Sequence, residues 1–86
     1  MALHSKRIDY TVYPPNRKPG DGFWEYGTAT RARLAAKKFG IGARLRRNVN
    51  LMGKDRIERD WWVERVWEWN GRDFVDITKN VSKGLP

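Results

Sequence analysis

The chain has 86 residues, of which 40% are hydrophobic and 33% charged, so it is long enough for one globular domain and too short for two. It has no cysteine and a single histidine, His4, which excludes disulfides, thiolate metal sites and a cysteine nucleophile and leaves little for a zinc site or a histidine-based triad. No apolar run approaches the roughly 18 to 20 residues of a membrane span. We therefore expect a cytoplasmic protein with no metal centre and no cofactor.

The positive charge is concentrated in the first part of the chain. Residues 1–54 carry 12 lysines and arginines against 3 acidic residues, a net charge of +9, whereas residues 55–86 carry 6 against 7, a net charge of −1. Between Glu25 and Asp55 every charged residue is basic: Arg31, Arg33, Lys37, Lys38, Arg44, Arg46, Arg47 and Lys54. Such an asymmetry is typical of a surface that binds a polyanion, although it would also serve as a solvated face.

Two strands are predicted at the start of the chain. "RIDYTVYPP" alternates with period two, which places Ile8, Tyr10 and Val12 on one face of a strand that the prolines end. "FWEY", residues 23–26, is a short second strand and a candidate return arm of a hairpin. The turn-rich loop between them carries Arg17 and Lys18.

The segment "TATRARLAAKKFG" predicts the main helix. Thr28 is a suitable N-cap, and Gly40 suits the left-handed conformation just past the last turn. One side of the helix is rich in small residues, with Ala29, Ala32, Ala35, Ala36 and Phe39. The other side carries Arg31, Arg33, Lys37 and Lys38 around Leu34. No acidic residue occupies the first turn, where the helix dipole favours negative charge, so an external phosphate would be stabilised there.

The next segment, "ARLRRNVNL", alternates again and predicts a strand. Arg44, Arg46, Asn48 and Asn50 would face one way, and Ala43, Leu45, Val49 and Leu51 the other. Arg44 and Arg46 would stand about 7 Å apart, close to the spacing of successive phosphates along one DNA strand. Arg47 would point to the opposite side, where we expect it to pair with a carboxylate of the C-terminal half.

Four of the five tryptophans lie in "DWWVERVWEW", for which we predict a strand in preference to a helix over residues 55–69. Strict alternation would group Trp61, Val63, Trp67 and Trp69 with Arg65 on one face. The other face would hold Trp62 and Val66 with Asp60, Glu64 and Glu68. Asn70-Gly71 predicts a two-residue hairpin loop that sets Trp67 opposite Phe74 and Arg65 opposite Asp76.

The first tryptophan face has three possible uses: core, platform for stacking nucleic-acid bases, or protein-binding patch. We favour the core, because an alanine-rich helix needs large residues from the sheet to fill the interior. Trp62, on the acidic side, and Trp24 would then be possible protein contacts. The carboxylates of this half alternate with arginines, which is typical of cross-strand pairs, so we expect no enzyme.

Together these patterns predict an α+β domain in which one main α-helix packs on a small antiparallel sheet of three to five strands with a C-terminal hairpin. Residues 1–6 and 79–86 are expected to be flexible tails. The predicted function is nucleic-acid binding through the phosphate backbone, with either DNA or RNA as partner and no membrane association. The alternative is a protein-interaction module, an adaptor or inhibitor that binds an acidic partner protein. The predicted nucleic-acid contacts are Arg17, Lys18, Arg31, Arg33, Lys37, Lys38, Arg44 and Arg46.

Overall fold

Five strands and one α-helix account for most of residues 5–17 and 22–80, the parts of the chain that a computed structural model describes. In chain order they are β1 (Ser5–Tyr13), β2 (Trp24–Tyr26), α1 (Ala29–Phe39), β3 (Arg44–Met52), β4 (Glu58–Trp69), β5 (Phe74–Asp76) and a short 3-10 helix (Thr78–Asn80). The sheet has the order β2-β1-β3-β4-β5, and all neighbours are antiparallel. The predicted α+β architecture is confirmed.

The predicted tails fall only in part on these residues. Ser5 and Lys6 belong to β1, and Lys79 and Asn80 belong to the 3-10 helix. The rest of both tails lies outside the described residues, as does Lys18 of the predicted binding site.

Helix α1 begins and ends as its sequence predicts. Thr28 has extended backbone angles, and its Oγ1 accepts a hydrogen bond from the Arg31 N–H at 3.4 Å. Gly40 has a φ of 98°, which favours glycine, and its N–H donates to two carbonyls of the last turn. Ala32 and Ala36 are fully buried, so the small-residue side of the helix is the one that faces the sheet.

The helix covers only one end of the sheet. It follows β2, which ends opposite Tyr10, and it precedes β3, which begins opposite Tyr13. Eleven helical residues span about 16 Å, whereas the nine residues of β3 span about 30 Å. We call the end under the helix the covered half (residues 10–13, 43–46 and 66–76). The remainder is the distal half (residues 5–9, 48–52 and 58–63).

The core lies in the covered half. Val12, Ala43 and Leu45 from the sheet meet the buried alanines of the helix, and the sheet residues Trp67 and Trp69 pack against this cluster. The aromatic rings supply the volume that the alanines lack. The core interpretation is therefore confirmed for these two tryptophans.

A β-bulge in β4 separates Trp61 and Trp62 from Trp67 and Trp69. Arg47 lies opposite Arg65, but the next residue of β3, Asn48, lies opposite Val63, so Glu64 is an extra residue in β4. The bulge shifts the alternation by one. The predicted grouping of Trp61 and Val63 with Trp67 and Trp69 was therefore wrong, because both lie on the side away from the helix.

Trp62 is displaced in the same way. It pairs with Val49 and thus lies on the helix side of the sheet, whereas Val66 pairs with Arg46 on the opposite side. The predicted face shared by Trp62 and Val66 does not exist. A period-two pattern carries no mark of an inserted residue, which is why strict alternation failed here.

The β4–β5 loop has four residues, 70–73, and not two. Asn70 Oδ1 accepts hydrogen bonds from the N–H groups of Arg72 at 2.8 Å and Asp73 at 2.7 Å, which closes the longer turn. Trp67 consequently lies opposite Asp76, and the predicted pairing with Phe74 was wrong. The longer loop also removes the like-charge pair that a two-residue loop would have placed between Glu68 and Asp73.

Candidate nucleic-acid interface

The four cationic side chains of α1 lie exposed on the side away from the sheet. Arg33 and Lys37 are four residues apart, and Arg31 and Lys38 are seven apart, so each pair forms a row along the helix. The Lys37 ammonium lies 5.4 Å from the centre of the Trp69 ring, which places the Arg33–Lys37 row on the β4 side. The other row lies towards β2.

None of the five ion pairs among the described residues involves a residue of α1. All five use an arginine from a strand: Arg7–Asp9, Arg44–Glu68, Arg47–Glu64, Arg59–Asp55 and Arg65–Asp76. The prediction that Arg47 pairs with a carboxylate of the C-terminal half is confirmed. No carboxylate from the described part of the chain pairs with a cation of α1, and the helix contains none of its own. Its four cations therefore form a group on one element with no ion-pair partner among the described residues.

Arg44 and Arg46 do not join these helix cations. Both face the side of the sheet away from α1, because β3 alternates as predicted and Leu45 between them enters the core. Arg44 is exposed, with its Nε 3.3 Å from Glu68 Oε2. The predicted surface for the nucleic-acid backbone, which combined the helix with these two arginines, therefore does not form.

Arg46 is buried instead of exposed to a ligand. Its side chain donates a hydrogen bond to the Tyr13 hydroxyl, and its guanidinium carbon lies 4.5 Å from the centre of that ring. Burial lowers the pKa of Arg46. Arg17 stacks on Tyr13 at the same 4.5 Å, and the Phe23 ring lies 5.9 Å away. These residues form a cationic and aromatic cluster that we call the Tyr13 cluster.

In the distal half, the side of the sheet away from α1 carries a polar network that we did not predict from the sequence. The Asn48 amide donates to Asp9 at 3.0 Å and Thr11 at 2.7 Å, and the Asn50 amide donates to Asp9 at 2.9 Å. Both asparagines are buried. The alternating "NVN" of β3 and "DYT" of β1 were the available signals, since buried amides need partners on a neighbouring strand.

The tryptophans proposed as protein contacts are partly exposed. Trp24 is 46% exposed and packs on Phe39 at 4.9 Å between ring centres, while Trp62 is 40% exposed on the helix side of the distal half. Trp61 is 49% exposed on the other side. Because the bulge divides the tryptophans, no continuous platform of Trp61, Trp67 and Trp69 forms.

One carboxyl group is held firmly in its ionised form. Asp76 accepts hydrogen bonds from the hydroxyl and the N–H of Thr78 and from Arg65, and these contacts lower its pKa to about 2. The contact predicted between Arg65 and Asp76 thus forms at 2.7 Å, although the two residues are not directly paired across the strands.

No known protein family, curated protein or solved structure matches the chain. Within residues 5–17 and 22–80, no three histidine or acidic side chains come together as a metal site would require. The same residues contain no helix of the length and apolarity needed to cross a membrane.

Proposed function

We propose that the protein binds nucleic acid by its phosphate backbone, through the outer face of α1. The observation that supports this most is the distribution of ion pairs. The five ion pairs all use strand arginines, whereas the four cations of the helix share one exposed face and have no carboxylate partner among the described residues. A positively charged face of this kind attracts a polyanion, and binding releases the counterions that are condensed on the nucleic acid.

The position of the arginines within the helix adds to this argument. Arg31 and Arg33 lie in its first half, close to the end at which the peptide dipoles leave partial positive charge. Positively charged side chains near this end of the helix destabilise the free protein by a few tenths of a kcal/mol. A bound phosphate removes that cost and accepts hydrogen bonds from the guanidinium groups.

The proposed contact surface is smaller than the one expected from sequence. It comprises Arg31, Arg33, Lys37 and Lys38. Arg44 is paired with Glu68, and Arg46 is buried in the Tyr13 cluster, so neither belongs to it. Arg17, stacked on Tyr13, lies with that cluster as well.

The test measures the salt dependence of binding to fluorescently labelled DNA and RNA, each as single strand and duplex, by anisotropy. Four phosphate contacts predict a slope of log affinity against log salt concentration of about −3 to −4. Replacement of all four helix cations by glutamine should reduce this slope to near zero and leave the circular dichroism spectrum unchanged.

A matched control removes four positive charges elsewhere. Lys6, Lys54, Arg56 and Arg72 are exposed, belong to no ion pair of the described residues and also comprise two lysines and two arginines. Their replacement by glutamine should leave most of the slope intact. Equal losses in the two variants would show that only net charge matters, and no binding by the unaltered protein at about 50 mM salt would refute the proposal.

A second candidate function is a protein-interaction module. The exposure of Trp62 and Trp24 favours it, because partly exposed tryptophans are common anchors of protein interfaces. Both lie on the helix side of the sheet, the side on which the unpaired cations would attract an acidic partner. Failure of all four nucleic acids to bind would favour this candidate over the first.

A further inference from the structure

We infer that the ligand is duplex DNA and that α1 lies in its major groove. This inference rests on the proposed function and specifies its substrate. It follows from the arrangement of side chains around the helix, and not only from their charge.

The outer face of α1 has a neutral strip between its two cationic rows. At 100° per residue, the Arg33–Lys37 row and the Arg31–Lys38 row lie about 130° apart. Thr30 and Leu34 fall between them, near the point farthest from the sheet, and Leu34 is 55% exposed. The helix therefore offers two lines of positive charge that border a line of uncharged groups.

This arrangement is complementary to the B-form major groove. A helix with its side chains is about 10 to 12 Å across, and the groove is about 12 Å wide with a phosphate strand on each side. Each cationic row would meet one of those strands. The strip would meet the base edges, where a threonine hydroxyl can form hydrogen bonds and an aliphatic side chain can contact thymine methyl groups.

The other forms of nucleic acid fit less well. The major groove of A-form RNA is too narrow for a helix. Single strands are bound by aromatic rings that stack on the bases beside the cations. The strip has no aromatic residue. Near the helix, Trp69 packs on Phe74 and the 46% exposed Trp24 packs on Phe39, each at 4.9 Å, so both rings lie beside the strip and not on it. The most exposed tryptophan, Trp61, is in the distal half on the opposite side.

The first experiment compares three probes of one sequence: a 20-base-pair DNA duplex, the same duplex as RNA, and one DNA strand. We expect the DNA duplex to bind at least tenfold more tightly than the other two. Arg33→Gln with Lys37→Gln, and Arg31→Gln with Lys38→Gln, should each lower the steepness of the salt dependence by about 1.8, the share of two phosphate contacts.

The second experiment places a negative charge on the strip. Leu34→Glu should weaken duplex binding by tenfold or more, whereas Ile57→Glu should change it by less than twofold. The two residues are matched in exposure, at 55% and 56%, and Ile57 is in the β3–β4 turn far from the helix. Dimethyl sulfate footprinting should show protection of guanine N7 in the major groove and not of adenine N3 in the minor groove.

The outcomes separate this inference from the proposed function. Equal affinity for the three probes, or protection confined to adenine N3, would overturn the major-groove inference and leave backbone binding in place. Equal effects of Leu34→Glu and Ile57→Glu would also overturn it. No binding to any probe would overturn both.

Discussion

The two halves of the sheet are stabilised in different ways. In the covered half, aliphatic and aromatic side chains are enclosed between the sheet and an alanine-faced helix. In the distal half no helix of the described chain lies over the strands, yet Val49 is only 1% exposed. Its cross-strand neighbours Ile8 and Trp62 shield it. Cross-strand neighbours therefore contribute to burial in this half, where α1 does not reach.

The difference also explains why the distal half is polar on its other side. Asn48 and Asn50 are held by hydrogen bonds to β1, so this end of the sheet is fixed by directional contacts in place of a hydrophobic layer. Stability in the covered half should depend on the packed volume of its side chains, and in the distal half on the hydrogen bonds of the buried amides and little on the exposed rings. The following substitutions test this contrast.

The largest expected effect comes from tryptophan truncation. Trp67→Ala should lower the free energy of unfolding by roughly 3 to 5 kcal/mol, because Trp67 fills the core beneath the helix. Trp61→Ala, in the distal half, should cost less than about 1 kcal/mol, since that ring is half exposed. Urea denaturation followed by circular dichroism measures both, and similar costs would contradict the contrast between the halves.

Enlargement of the helix face is the next test. Ala36 is fully buried against the sheet, so Ala36→Leu should destabilise the protein by about 1 to 3 kcal/mol through overpacking. Leu34→Ala on the outer face of the same helix should change stability by no more than about 0.5 kcal/mol. A neutral or stabilising Ala36→Leu would mean that the covered half contains unfilled space.

The Tyr13 cluster should respond to the loss of one oxygen atom. Tyr13→Phe keeps the ring on which Arg46 stacks but removes the hydroxyl that accepts its hydrogen bond. We expect a loss of about 1 to 2 kcal/mol in the free energy of unfolding, because Arg46 is buried. An unchanged midpoint in urea would show that other contacts of Arg46 suffice.

The smallest effect is expected at low pH. Because the folded pKa of Asp76 is about 2, below its ordinary value of 3.8, the ionised group contributes stability above about pH 4. That contribution is lost as the pH falls from about 4 to about 2. An NMR titration should place this pKa near 2, and Asp76→Asn should flatten the dependence of stability on pH in the same range. A titration near pH 4 would contradict the contacts described for Thr78 and Arg65.

Local signals in the sequence predicted much of this fold. Thr28, Gly40 and the alanine spacing defined α1, since capping and helical periodicity act within a few residues. Alternation assigned the two faces of β3 correctly, because that strand continues without an extra residue. The core role of Trp67 and Trp69 followed from the need to balance small helical side chains.

The errors arose where the outcome depends on a partner strand or on a side chain in a turn. The bulge at Glu64 reflects how β4 matches β3, and the four-residue loop depends on the Asn70 side chain. The burial of Arg46 could not be predicted from an alternating basic segment. It requires knowing that Tyr13, 33 residues earlier in the chain, lies beside it.

The extra residue at Glu64 makes the number of residues in β4 as important as their identity. Deletion of Glu64 would remove the bulge and leave Trp62 opposite Val49 and Trp61 opposite Asn50. Deletion of a residue beyond a retained bulge would instead move both rings by one position and exchange their sides of the sheet. The bulge therefore decides which changes in the length of β4 leave these two tryptophans in place.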